Sequence, residues 1–143
     1  MSFRNRKLSD FGHCGKGVRV LEPFLCSVPG RVHIGSNVFI NADCLFLVEG
    51  TASIHIRSNV IFGPGVSIYC STHPVTPAKG RRKDRRFASV VIENDVWVGG
   101  GAIILPGVTI GARSVIGAGS VVTDDVPADM LVVGNPAKVV RSL

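Results

Sequence analysis

The chain has 143 residues and a formal net charge of +6, and its 45% hydrophobic and 18% charged residues are typical of a globular domain long enough to bury a core. No apolar run is long enough to cross a bilayer, and the polar, basic N-terminal residues do not resemble a signal peptide. The four cysteines match no zinc or redox spacing and are typical of a reducing compartment, so we expect a cytoplasmic protein.

The first part of the chain is irregular. Residues 1–13 follow no repeat, and we expect a loosely docked arm there, followed by a single domain over residues 14–143. From Val18 to Val28 the apolar residues are spaced as in short strands, although prolines interrupt them. We interpret this stretch as an imperfect first layer that caps one end of the fold.

A regular spacing of six residues begins at Ile34. Its large apolar residues, with an interruption near residues 49–51, are Ile34, Ile40, Phe46, Ile56, Phe62 and Ile68. A smaller residue follows four positions later, as Val38 follows Ile34. Neither a helix nor a simple strand keeps this spacing. It predicts a parallel β-helix in which each hexad forms one side of a coil and points its apolar residues inward.

The hexads vanish over residues 73–89, where proline, lysine and arginine dominate. The pattern returns at Ile92, so we predict a loop that leaves the coil at about residue 73 and re-enters it at about residue 89. Insertions in repeat folds often form the binding surface. The basic residues of this loop are either solvated or attract an anionic ligand. No nucleic-acid partner is expected, because the chain has no binding motif of that kind.

The most regular stretch follows this loop. Its large inward residues are Ile92, Val98, Ile104, Ile110, Ile116 and Val122. Three glycines that directly follow such residues are expected to turn the corners with positive φ, namely Gly99, Gly111 and Gly117. Prolines then end the repeat, and we predict a closing segment with a short strand or turn of helix over residues 139–143. The predicted fold class is all-β.

Two motifs resemble those of a known family. Ser71-Thr-His-Pro74 at the start of the loop and Asn94-Asp-Val-Trp-Val-Gly99 after it are similar to motifs of the hexapeptide-repeat acetyltransferases, especially the maltose, galactoside and nodulation-type O-acetyltransferases. The resemblance covers about residues 14–143. It implies a left-handed parallel β-helix, although parallel crossovers are usually right-handed. It also implies a homotrimer with active sites between subunits.

The same resemblance implies an enzyme that transfers an acetyl group from acetyl-CoA to a hydroxyl of a sugar or similar small acceptor, with no metal. His73 matches the catalytic histidine of the family. It would act as general base for direct attack, because an imidazole can take up a proton at neutral pH. Ser27, Asn41 and Glu49 match acceptor-binding positions, and Glu49 stands where the family commonly has aspartate.

The resemblance also assigns a cosubstrate site. The positions that match a groove for the pantetheine arm of CoA, or a contact with its nucleotide phosphate, are Gly100, Ala118, Thr123, Lys138 and Arg141. The last two are cations, which suit a phosphate. Asp124 stands where relatives often have lysine, so one favourable charge is lost. Trp97 precedes an inward residue, and we expect it to face outward at a subunit interface.

Two other interpretations are open. His33, His55 and His73 each precede an inward position, so they are expected to line one edge of the β-helix, whereas His13 lies in the arm and is given no role. Strands stack about 4.7–4.9 Å apart, so two of these histidines with a ligand from a neighbouring chain would suit zinc, as in γ-type carbonic anhydrases. The third interpretation is a catalytically silent scaffold.

Overall fold

The computed structural model describes residues 7–76 and 83–143. These residues form short strands wound into stacked coils, with two single-turn 3₁₀ helices at Leu8–Asp10 and Pro29–Arg31. The strands in chain order are β1 (His13–Cys14), β2 (Arg19–Val20), β3 (Phe24–Cys26), β4 (Val32–Ile34), β5 (Phe39–Ile40), β6 (Cys44–Leu47), β7 (Ile54–Ile56), β8 (Ile61–Phe62), β9 (Ser67–Tyr69), β10 (Ser71–Thr72), β11 (Arg86–Phe87), β12 (Val90–Ile92), β13 (Trp97–Val98), β14 (Ile103–Ile104), β15 (Thr109–Ile110), β16 (Val115–Ile116), β17 (Val121–Val122), β18 (Met130–Gly134) and β19 (Ala137–Ser142).

The coils have three faces. The first face stacks β1, β4, β7, β12 and β15, and the third stacks β3, β6, β9, β14 and β17. The second face stacks β2, β5, β8, β13, β16 and β18, and β19 folds back beside β18 as an antiparallel closing hairpin. The other strand pairs of these faces are parallel across the described residues. The predicted parallel β-helix and its closing strand are confirmed.

The inward hexad positions form the core. Every large residue of the two predicted series is buried, from Ile34 to Val122. In the early coils aromatic rings meet in the interior, with ring centroids of Phe24 and Phe46 5.1 Å apart and those of Phe46 and Phe62 5.6 Å apart. These rings are not in register, because Phe46 aligns with Cys26 and Ile68, and Phe62 aligns with Ile40. Burial of aromatic side chains dominates core energetics in general, so these edge contacts between neighbouring coils stabilise each coil against the next.

Two of the small inward positions are serines, and both bind the closing segment. The Ser114 hydroxyl donates to the carbonyl of Pro127 over 2.7 Å and accepts the amide of Met130 at 3.1 Å. The Ser120 hydroxyl accepts the amide of Gly134 at 3.1 Å. Buried hydroxyls need such partners. These bonds attach the end of the chain to the last regular coil.

The expected positive φ at Gly99, Gly111 and Gly117 is wrong. None of the three has it, whereas Gly101 does, with a φ of 69°. Gly99 is required for a different reason, because a Cβ built on it would lie 2.5 Å from the backbone nitrogen of Ala118 in the next coil. Close backbone approach, rather than turn conformation, excludes a side chain there.

The two irregular segments also differ in detail from expectation. In the arm expected over residues 1–13, Phe11 is buried and packs beside Phe24 with ring centroids 6.1 Å apart. Strand β1 already begins at His13. The predicted loop is confirmed, but its base is a short antiparallel pair of β10 with β11. Thr72 at this base is exposed, although the hexad pattern places it inward.

No helix within residues 7–76 and 83–143 has the length and apolar character needed to cross a membrane.

Candidate functional site

His73 lies at the base of the loop, directly after β10, and its side chain is exposed. The base is held by pairing of Ser71 with Phe87 and by a hydrogen bond from the amide of Ala88 to the carbonyl of Cys70, 3.0 Å long. The last strand of the coil before the loop is β9, on the third face, since β10 pairs only with β11. The chain re-enters the coil in β12 on the first face. His73 therefore projects at the corner between these two faces.

Glu49 joins both sides of the loop base. It accepts a short hydrogen bond from the Ser71 hydroxyl on the outgoing side, and Nη1 of Arg85 on the returning side donates to its Oε1 over 2.5 Å. The Ser71 hydrogen bond is the largest cause of the lowered pKa of Glu49, followed by the bond and charge of Arg85 and the charge of His73, while burial opposes them. Glu49 is thus an ionised group at the corner of His73.

The returning side of the loop also rests on the turn that follows Glu49. Gly50 has a φ of 59°, and a Cβ on it would lie 2.5 Å from the Phe87 ring. Only glycine combines that backbone conformation with that contact at low cost. The interruption of the hexads near residues 49–51 is therefore the segment on which the returning side of the loop packs. Sequence reasoning missed Arg85 and Phe87 as site residues, and the loop's basic composition was the only signal for the former.

Two of the three expected acceptor-binding residues share this corner. Ser27 follows β3 and Glu49 follows β6, and both strands stack below β9 on the third face. The Ser27 hydroxyl donates to the carbonyl of Val48 over 2.6 Å and accepts its amide at 2.8 Å, so it links two coils. Asn41 lies at a different corner, after β5 of the second face, and its Oδ1 accepts the amide of Ala42.

The expected CoA-binding residues fall at two places along the third face. Gly100 and Ala118 lie between the second and third faces, and the carbonyl of Gly100 accepts the amide of Gly119 at 2.9 Å. Thr123 lies at the opposite end of the third face, after β17, where its hydroxyl donates to Asp124 over 3.1 Å. Gly100 and Ala118 thus share one corner of the chain, whereas Thr123 lies at another.

The two expected phosphate-binding cations lie in β19. Lys138 lines a cavity of about 160 Å³ together with Asp124 and Asp125. Arg141 pairs with Leu131 across the hairpin and donates from Nη1 to the carbonyl of Ser142, and it does not line that cavity. Only Lys138 is therefore placed beside Asp124 within one chain.

The expected edge of His33, His55 and His73 is wrong. His73 has left the coil with the loop, and Val91 is the residue that aligns with His55 in the next coil. The third histidine in register with His33 and His55 on the first face is His13, at the other end of the row. The rings of His33 and His55 are nearly parallel, with centroids 4.8 Å apart. Burial, the charge of His33 and a neighbouring arginine lower the pKa of His55. Within the described ranges, no group of three or more His, Cys, Asp or Glu side chains is arranged to hold a metal ion.

The second face exposes large apolar side chains. Trp97 faces outward as expected, is 54% exposed, and pairs in register with Ile61, which is 50% exposed. The outward positions of the first face are polar in the early coils, where His13, His33 and His55 line up. The faces of the β-helix therefore differ in the surface they present.

Comparison with known proteins places this fold in a family. The family model described as "Bacterial transferase hexapeptide (six repeats)" matches residues 89–124. The galactoside O-acetyltransferase of Lactococcus lactis subsp. lactis (strain IL1403) is 41% identical over 134 residues, which are 93% of this chain and 64% of that protein. The chain thus spans less than two thirds of the length of this curated relative.

Solved structures extend the similarity to the whole coil stack. A maltose O-acetyltransferase from Clostridium difficile 630 matches with a TM-score of 0.87 and 41% identity over 94% of this chain and 71% of that one. A hexapeptide-repeat containing acetyltransferase from Vibrio cholerae O1 biovar eltor, complexed with acetyl coenzyme A, matches with a TM-score of 0.88 and 41% identity. That match covers 94% of this chain and 73% of the other. The chain belongs to the hexapeptide-repeat acetyltransferase family.

Proposed function

We propose that the protein is an acetyl-CoA-dependent O-acetyltransferase that acetylates a hydroxyl of a sugar or similar small acceptor, with His73 as general base. The observation that carries this proposal is an exposed imidazole beside an ionised carboxylate, Glu49, at the base of the loop. A relative of the same fold has been solved with acetyl coenzyme A bound. The galactoside and maltose O-acetyltransferases among the relatives support a sugar-like acceptor.

In the proposed reaction His73 takes the proton of the acceptor hydroxyl while its oxygen attacks the carbonyl carbon of the thioester. The carbon–sulfur bond breaks, CoA leaves as the thiolate, and this thiolate receives the proton from the imidazolium. The acceptor is left as its acetyl ester, and no acyl-enzyme forms. Glu49 accepts bonds from both sides of the loop base and thereby holds the loop that presents His73.

The active site is proposed to lie between subunits of a homotrimer. Asn41, Gly100 and Ala118 lie at the corner between the second and third faces, whereas His73 lies at the corner between the third and first. These four residues can belong to one site only if the corner of Asn41, Gly100 and Ala118 in one subunit meets the corner of His73 in its neighbour. The exposed pair of Trp97 and Ile61 supports such association, because exposed apolar patches commonly mark interfaces.

The cosubstrate is proposed to bind in the groove between two subunits, where the corner of Gly100 and Ala118 meets the other corner type, which carries Thr123. Backbone groups at Gly100 and Ala118 would bond the amides of the pantetheine arm, and Thr123 would line the same groove from the adjoining corner. Lys138 and Arg141 would meet the nucleotide phosphate, with Asp124 opposing this attraction beside Lys138. The three charges make the affinity for CoA sensitive to substitutions in the closing hairpin.

The test is a thiol-release assay with acetyl-CoA and a panel of hydroxyl and amine acceptors, using wild type and His73→Ala. We expect wild type to turn over at least one hydroxyl acceptor and His73→Ala to lose about 10²–10⁴-fold in kcat, which is the usual contribution of a general base. His73→Ala should keep the oligomeric mass of wild type. Near-normal turnover of His73→Ala would contradict the assignment of the base. Measured binding of CoA by wild type would count against the scaffold interpretation, whereas a wild type that neither binds CoA nor turns over any acceptor would support it.

A further inference from the structure

The ion pair of Glu49 with Arg85 at the loop base determines which charged group is exposed to an acceptor. The side chain of Glu49 is 17% exposed, whereas that of Arg85 is 52% exposed. Each oxygen of the carboxylate already accepts a bond from a donor of its own chain, the Ser71 hydroxyl or the Arg85 guanidinium. The guanidinium therefore covers the carboxylate on the solvent side, at the corner where His73 is exposed.

This arrangement changes the chemistry of the acceptor site. A carboxylate with open lone pairs would accept hydrogen bonds from neutral sugar hydroxyls, but the bonds from Ser71 and Arg85 compete for those lone pairs. Arginine instead offers several N–H donors in a rigid fork, which matches a carboxylate or a phosphate. The bond to Glu49 engages Nη1, and half of the Arg85 side chain remains open to solvent.

The sequence next to Arg85 is rich in basic residues. Residues 79–86 contain six lysines and arginines and one aspartate in the sequence. Lys83, two residues before Arg85, is exposed. A cluster of one sign raises the local concentration of oppositely charged ligands. Lys83 and Arg85 therefore favour an anionic acceptor at the returning side of the loop, whereas Lys79, Arg81 and Arg82 lie outside the described residues.

We propose that Arg85 selects acceptors that carry an oxyanion, a carboxylate or a phosphate, in addition to the hydroxyl that is acetylated. This inference rests on the proposed acetyl transfer. Arg85 binds the oxyanion and thereby places the hydroxyl near His73, while Glu49 holds the guanidinium in position from below. Arg85 is a specificity-determining residue, and it takes no part in the proton transfer.

The test compares three acceptors, methyl β-galactoside, galactose 1-phosphate and galacturonate, in a thiol-release assay at low ionic strength. For wild type we expect kcat/KM for at least one anionic acceptor to exceed that for the neutral one by about tenfold, as for one new charge-assisted contact. Whether phosphate or carboxylate is preferred identifies the oxyanion. Arg85→Gln should lose most of this preference through a higher KM for the anionic acceptor, and Arg85→Lys should keep part of it. Lys16→Gln is the control, because Lys16 is an exposed cation between β1 and β2 and away from the loop, and this variant should keep the preference.

Several results would overturn the proposal. A wild-type preference for the neutral acceptor, or equal loss on all acceptors in Arg85→Gln, would mean that Arg85 only holds the loop. An increased KM for acetyl-CoA with an unchanged acceptor preference would mean that the basic residue serves the cosubstrate. Turnover of neutral sugars alone removes this inference and leaves the acetyltransferase proposal intact, whereas an absence of turnover with every acceptor removes both.

Discussion

Arg85 and Glu49 are 36 residues apart in the sequence, and Nη1 of the arginine donates to Oε1 of the glutamate over 2.5 Å. This bond spans the base of the loop, with Glu49 at the end of a coil and Arg85 on the returning side. The third member, Ser71, donates from the outgoing side. One carboxylate thus connects the coil to both sides of the loop that presents His73.

The first prediction concerns the charge of Glu49. Its pKa in the folded state lies below the ordinary value of 4.5, first because of the Ser71 hydrogen bond and then because of Arg85. The stabilisation it gives is therefore present above pH 4.5 and is lost as the pH falls through the folded-state pKa. We expect Glu49→Gln to lower the free energy of unfolding by about 1–2 kcal/mol at pH 7. Urea titrations at one protein concentration check this, and a wild-type advantage that stays constant down to pH 3 would contradict it.

The second prediction concerns the close approach of coils at Gly99. A Cβ there would lie 2.5 Å from a backbone nitrogen, which cannot move aside as a flexible side chain can. We expect Gly99→Ala to lower the free energy of unfolding by about 1–3 kcal/mol, the usual cost of overpacking. Gly30→Ala is the matched control, because a Cβ on Gly30 meets nothing within 4 Å. Equal melting temperatures for the two variants would show that the coils can separate at low cost.

The third prediction concerns the apolar second face. Trp97→Glu places a charge beside Ile61 in the surface proposed to join subunits, where burial of an unpaired charge is costly. We expect it to reduce the molar mass in solution from that of a trimer toward that of a monomer, measured by light scattering after size exclusion. Val91→Glu is the control, since Val91 occupies the outward position of β12 in the same coil, on the first face. A trimer that survives Trp97→Glu and dissociates with Val91→Glu would place the interface on the first face.

The fourth prediction concerns Asp124 and Lys138, which line one cavity. If the nucleotide phosphate binds at Lys138, Asp124→Asn removes a repulsion and should lower the KM for acetyl-CoA by about two- to fivefold at low salt, as expected for one exposed charge. Lys138→Gln should change the KM in the opposite direction. Both effects should shrink as salt is added, because exposed charges are screened. Unchanged KM values in both variants would place the phosphate elsewhere.

Much of the fold could be predicted from spacing alone. A residue such as Ile104 is buried because a period of six points every sixth residue into the interior of its coil. The same rule holds from Ile34 to Val122. The loop was predicted because the rule stops at His73 and restarts at Ile92. These predictions depend only on local order along the chain, which is why they were confirmed.

The predictions that were wrong, for the histidine edge and for the glycine corners, depended on which residues align between neighbouring coils. His73 follows the same local rule as His33 and His55, yet the chain departs from the coil at β10, so Val91 rather than His73 aligns with His55. Gly99 is a glycine because of a backbone atom in the next coil, a contact that its own neighbours in sequence do not reveal. The alignment of residues between coils depends on the number of residues in each excursion from the coil. An excursion therefore changes which later residues align with those of the preceding coil.

The sequence by itself determined the repeat, the inward positions, the loop and the family resemblance, because each follows from residues a few positions apart. Only the tertiary structure decided which distant groups meet: Glu49 with Arg85 across the loop base, and Asn41 at a corner away from His73. The physical reason is that stacking brings together residues separated by a whole coil and its insertions. The length of each insertion can be read from the sequence, but the position at which the chain re-enters the coil is known only from the folded structure.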